Sequence, residues 1–167
     1  MAYRKIYDGT MTDPWVKSQP LPERYLWMYL LACDEAKSEG LFRPDIFTAS
    51  QACSMEIEDL LDALAGWTEE GRIVYDREHT LVWFPKASKY WRSTNPKEAK
   101  GVANRIRAFR SSYLIGLVWG SAALNDDGFL TDALGELVGE LTDKEPIPAS
   151  IQKRFPEASK LWVKACK

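Results

Sequence analysis

The hydrophobic period of this 167-residue chain changes abruptly at Gly71, and that change limits the folds open to it. Before Gly71, Ile57, Leu60, Leu61, Leu64 and Trp67 recur at three- and four-residue intervals, the one-sided apolar stripe of an amphipathic helix. After it come two short runs rich in β-branched and aromatic residues, Arg72-Ile73-Val74-Tyr75 and Thr80-Leu81-Val82-Trp83-Phe84. The charged link between them, Asp76-Arg77-Glu78-His79, predicts a hairpin tip.

Upstream, a helix is predicted from Pro22, whose ring suits the first helical turn and whose neighbour Glu23 complements the amino-terminal dipole. Leu26, Tyr29, Leu30 and Cys33 form its apolar face and Gly40 is its stop signal. The apolar pair Leu41 and Phe42 follows, then a second helix over residues 44–53, with Ser54 as N-cap of the third. Helix, short strand, two helices across a brief turn and a hairpin, in that order, predict a winged helix-turn-helix over residues 22–86, mainly α with a small β-hairpin. Residues 1–21, ending in DPWVKSQP, read as an extended arm that offers Tyr3, Ile6, Tyr7 and Trp15 to the body.

Downstream, residues 87–96 read as a linker, closed by Ser93, Thr94, Asn95 and Pro96 as a breaker and helix start. One long helix is predicted over residues 97–124. Ala99, Val102, Ile106, Phe109, Tyr113 and Leu117 share one face of it, and Lys97, Lys100, Asn104 and Arg107 the opposite face. Its second half, residues 114–124, is uncharged and calls for burial against the domain or another copy. Its 11 residues fall well short of the ~20 of a membrane span. A helix over residues 131–141 and an amphipathic piece over 149–167, carrying Ile151, Phe155, Leu161 and Trp162, complete a helical extension over residues 97–167.

A hydrophobic fraction of 46%, 12% aromatics and a net charge of −2 belong to a folded chain. Cys33, Cys53 and Cys166 are too irregularly spaced for a disulfide framework or a zinc site, and MAYRKIYDGT lacks the apolar region of a secretory signal, so a reduced cytoplasmic setting is expected. His79, the only histidine, sits at the predicted hairpin tip and is expected to be a solvated turn residue, which disfavours a Ser-His-Asp triad. The chain has no Walker sequence and no dinucleotide-binding glycine turn. Glu56, Glu58, Asp59 and Asp62 could serve a metal-dependent nuclease, but helical spacing sets them opposite Leu60, Leu61 and Leu64, on a solvated face. Neither a catalytic centre nor a metal or cofactor site is predicted.

Charge is unevenly distributed. Between Phe84 and Ser112 eight lysines and arginines face one acid, Glu98, a local balance of +7 that leaves about −9 on the rest of the chain. The acidic third helix would be repelled from a DNA groove. The candidate contacts are therefore Lys86, Lys89 and Arg92 with the stacking planes of Tyr90 and Trp91, continued by Lys97, Lys100 and Arg107. The competing reading is a solvated basic face neutralised by the acidic carboxy-terminal third, in a protein-interaction module without direct DNA binding.

The segments DPWVKSQPLPERYLWMYLL, DEAKSEGLFRPDIFTASQA, IEDLLDALAGWTEEGRI, VWFPKASKY and STNPKEAKGVANRIRAF together resemble a family of winged-helix replication proteins of phages and prophages, the replisome organisers, related to the amino-terminal domain of DnaD. The resemblance covers about 110 of the 167 residues. It implies a non-enzymatic DNA-binding or primosome-assembly role in replication initiation, a replication protein as partner, and homo-oligomerisation, with a dimer as the first expectation. Within these 167 residues no counterpart of the further domain of longer members is expected, and the third helix is unusually acidic.

Overall fold

The computed structural model describes residue 6, residues 9–37 and residues 39–167, so Tyr3 and Tyr7 of the expected arm lie outside the described residues. The fold is mainly helical around one three-stranded antiparallel sheet. In chain order the elements are α1 (Pro14–Ser18), α2 (Leu21–Ala32), β1 (Leu41–Phe42), α3 (Ile46–Cys53), α4 (Ile57–Glu69), β2 (Val74–Asp76), β3 (Leu81–Trp83), α5 (Ala87–Tyr90), α6 (Pro96–Arg107), α7 (Ser112–Leu124), α8 (Gly128–Glu140), α9 (Ala149–Arg154) and α10 (Pro156–Ala165). The strand order is β1-β3-β2.

The sheet divides two cores. Leu41, Val74 and Trp83 stand in register across the strands and, with Leu81, enter a core built with α6, α7, α8 and α10. The alternate residues Phe42 and Val82, with Ile73 and Phe84, enter a second core with α2, α3 and α4. Both faces are covered, which explains why β3 reads Leu-Val-Trp with no polar alternation. The hairpin is thus no free ribbon, and its outward residues are confined to the tip at Arg77 and Glu78.

Several local expectations change at this level. Residues 14–18 are helical and not extended, because Asp13 caps the backbone N–H groups of Trp15 and Val16. Trp15 then packs edge-on against Trp27 and Trp67, and Arg72 lies over its ring at 4.6 Å. Helix α2 ends at Ala32, well before Gly40. Gly40 instead adopts φ +78° at the entry to β1, where an added Cβ would fall 2.5 Å from that of Ala87. Asp45, and not Pro44, starts α3 as its N-cap. Ser54 closes α3 in the left-handed region at φ 51°, and α4 begins after Glu56, so a three-residue turn separates the two helices.

The single helix expected over residues 97–124 is two helices. The chain breaks at residues 108–111, with Arg110 at φ 60°, and the basic face ends with α6. The cause is the difference in environment: α6 keeps one face in water, whereas ten of the thirteen residues of α7 are buried, and one straight axis could not satisfy both. Helix α7 is enclosed by its own chain, between α8 and α10. Close approach of α10 depends on Gly116 and Gly120, where an added Cβ would stand 2.4 Å from the Trp162 ring and 2.7 Å from the Ala158 carbonyl oxygen. The amphipathic tail is likewise two helices, α9 and α10, with Phe155 at the junction and Trp162 buried, its indole N–H donating to the Glu145 carbonyl at 2.9 Å.

The contact at Gly120 is with backbone and cannot be relieved by a side-chain rotation. Gly120→Ala is therefore expected to lower stability by about 1–3 kcal/mol, although alanine is the better helix former. Chemical denaturation measures this, and an unchanged midpoint would mean that α10 does not pack this closely.

Candidate nucleic-acid interface

The residues singled out in the basic segment fall on three successive pieces of structure. Lys86 precedes α5, Lys89 and Tyr90 end it, and Trp91 is its C-cap. Arg92 lies in the following loop, and Lys97, Lys100 and Arg107 lie on α6. Residues 87–96 are therefore not a plain linker. The Ser88 hydroxyl sits 2.8 Å from that of Ser121 and accepts from the Asn125 amide at 3.1 Å, which ties α5 to the end of α7. Ser93 donates its backbone N–H at 2.8 Å and its hydroxyl to the buried carboxylate of Asp127, which also caps α8. Asn95 caps α6 through the Glu98 N–H at 2.9 Å, and the Glu98 carboxylate accepts from the backbone N–H and hydroxyl of Thr94. The helix start expected at Ser93 to Pro96 is present, with Pro96 in the first turn.

Lys86, Lys89, Arg92, Lys97 and Lys100 are exposed, and none forms an ion pair among the described residues. Tyr90 is 58% exposed. Arg107 differs, because it pairs with Glu140 on α8. Both partners are half exposed, so the pair contributes little to stability, but it lowers the positive charge at that end of α6. Helix α8 packs along α6, and this is the ion pair that the acidic carboxy-terminal third makes with the predicted stripe among the described residues.

A residue outside the predicted site holds the most specific geometry. Arg105 donates from Nε and Nη2 to the two oxygens of Glu39 at 3.0–3.2 Å, and Glu39 is only 4% exposed. This fork fixes the guanidinium and fastens the loop before β1 onto α6. Beside it runs a groove of about 440 Å³ lined by Lys37, Glu39, Trp91, Glu98, Gly101 and Arg105. No sequence pattern joins Glu39 to Arg105, 66 residues further along the chain.

Helix α4 presents the opposite charge. Glu56, Glu58, Asp59 and Asp62 are exposed while Leu60, Ala63, Leu64 and Trp67 face inward. A groove of about 560 Å³ runs between α4 and the start of α2, with Glu23, Glu56, Asp59, Asp62 and Glu70 along it. Cys33 and Cys53 are buried, and burial pushes the Cys53 thiol up, away from thiolate reactivity.

His79 is not a solvated turn residue. Its Nδ1 lies 2.8 Å from the Asp76 carboxylate, which also accepts the Ser111 hydroxyl at 2.6 Å. Aspartate stands between serine and histidine here, so the histidine has no contact with the hydroxyl that it would have to deprotonate, and the arrangement is a tie between the hairpin and the start of α7. Burial alone would raise the Asp76 carboxyl, but the hydrogen bonds from Ser111 and His79 outweigh it and hold the carboxyl below its usual value. Tyr113 is pushed up, first by burial and then by the Asp76 charge.

No family model matches the chain, and neither a curated protein nor a solved structure is significantly similar to it.

A carboxyl held below its ordinary value stabilises the fold above that value, near pH 4, and the contribution is lost as pH falls toward the lower folded-state value. Asp76→Asn should cost about 2–3 kcal/mol at pH 7, with the difference from wild type shrinking below about pH 4. Urea titrations at pH 7 and pH 3.5 report both, and a pH-independent difference would exclude the carboxylate as the source.

Proposed function

We propose that this chain is a non-enzymatic nucleic-acid-binding protein whose contact surface is the α5–α6 segment. The observation that carries the reading is the set of exposed cations Lys86, Lys89, Arg92, Lys97 and Lys100, which form no ion pair among the described residues, on a segment fastened to the body by Ser88 and Ser93. Fixed cations of one sign along a surface attract phosphate through counterion release, with weak sequence selectivity. The order α2, β1, α3, α4, β2, β3 and the short α3–α4 turn are what a winged helix-turn-helix requires. In this reading the winged helix serves as scaffold, since α4 is too acidic to enter a groove and the strands of the wing are covered on both faces. A cytoplasmic role in phage or prophage replication initiation, with a replication protein as partner and a dimer as the working state, completes the proposal. It rests on the family resemblance of the sequence.

A second reading is favoured by the acidic groove beside α4: a protein-interaction module that receives a basic partner there. Titration of a labelled duplex separates the two. Binding through four or five phosphates should weaken roughly 150- to 500-fold between 50 and 200 mM salt. The double reversal Lys97→Glu with Lys100→Glu should weaken it at least tenfold at about 50 mM salt, while Glu58→Lys with Asp62→Lys should not weaken it. Absence of binding to duplex and single strands at 50 mM salt would remove the nucleic-acid reading.

A further inference from the structure

We infer that the groove between Trp91 and Arg105 is a site for one unpaired nucleobase, so that the partner of the α5–α6 surface is single-stranded nucleic acid. The inference rests on the nucleic-acid reading above and gives it a strand preference. Its volume of about 440 Å³ lies within the ~300–1,000 Å³ of clefts that take small planar ligands.

The charge of the lining argues for a base and against a phosphate. Lys37 and Arg105 are balanced by Glu39 and Glu98, so the groove itself is neutral, while exposed cations that form no ion pair among the described residues adjoin its lining: Arg92 follows Trp91 in the chain, and Lys97 lies one helical turn before Gly101 on α6. A nucleotide divides in the same way, into an uncharged plane and an anionic backbone. The base would occupy the groove and the adjoining phosphates the cations at its edge.

Both flat groups in the groove are held still. Trp91 is packed partly against the carboxy-terminal core, and its backbone N–H bonds to the Ala87 carbonyl at 3.0 Å. The Arg105 fork to Glu39 uses Nε and Nη2. Nη1 lies 3.9 Å from where a Gly101 Cβ would be, on the groove side. A pre-positioned indole and a planar guanidinium are the groups on which unstacked bases lie, and neither must be ordered on binding. Gly101 keeps the mouth open, because nothing else is within 4 Å of an added Cβ there. A paired base in a duplex has no face to offer to such a groove, since its neighbours cover both.

The test compares thymidine and uridine 15-mers with a 15-base-pair duplex, by fluorescence anisotropy at 50 mM salt. Trp91→Leu removes the indole, and Gly101→Leu adds a side chain at the mouth, where a Cβ meets only Arg105 Nη1 within 4 Å. Each is expected to weaken binding of both single strands roughly 5- to 100-fold, the worth of one base–aromatic stack, and to change duplex binding less than about twofold. If Trp91→Leu does not fold, Gly101→Leu decides alone. Single-strand binding that survives Gly101→Leu, or an equal loss on duplex, overturns the base site. If Lys97→Glu with Lys100→Glu then still abolishes binding, the charged surface stands without it. Wild-type protein that binds none of the three probes removes the underlying reading and this inference together.

Discussion

The structure depends on a sheet that has no solvent face. In β3 every residue is buried, with Leu81 and Trp83 directed to one core and Val82 to the other, and β1 and β2 repeat this division in register. Each large side chain so buried contributes about 1.5–3 kcal/mol. The larger consequence is geometric. Helices from the first and last parts of the chain are held at fixed positions relative to each other because they share the strands between them. Two strand residues on one edge and three on the other suffice, since the sheet is clamped from both sides and need not be stable alone.

Where apolar contact ends, buried carboxylates take over the positioning. Asp76 joins the hairpin to the start of α7, Asp127 joins the loop after α5 to the start of α8, and Glu39 joins the loop before β1 to α6. Each has its oxygens met by hydroxyl, backbone or guanidinium donors, and no buried side-chain polar atom lacks a partner among the described residues. An acid left unpaired in these places would be destabilising by several kcal/mol. Paired, the three fix the basic segment far more closely than its linker-like sequence suggests.

The electrostatic result is a molecule with two faces of opposite sign. The outer side of α4, in the helix that a winged helix would be expected to insert into DNA, is acidic, and the α5–α6 surface is basic. The functional reading follows this separation. Helix α8 packs against α6 and Asp127 holds Ser93, yet Lys86, Lys89, Arg92, Lys97 and Lys100 stay exposed, and among the described residues the acidic carboxy-terminal third forms one ion pair with the stripe, at Arg107.

How much of this was legible in the sequence can be argued element by element. Spacing marked α2, α3, α4 and the hairpin, because half-buried helices and short strands imprint their period on the chain. Asn95 and Pro96 marked the start of α6 through their local capping chemistry. The cation excess of residues 84–112 and the burial of residues 114–124 were also fixed by residue type alone. The break at Arg110, the covering of the hairpin and the ties of His79 and Ser93 were not. Each depends on what approaches from elsewhere: α7 must be wrapped on all sides, and the polar partners are distant in the chain. Nor could local pattern bring Lys37 and Glu39 to Trp91 and Arg105. The sequence by itself determined which segments are helix or strand, which faces are apolar and where the positive charge lies. Only the tertiary structure decided which charges are paired, which face remains open and where a groove forms, because those depend on contacts between residues whose separation in the chain carries no periodic signal.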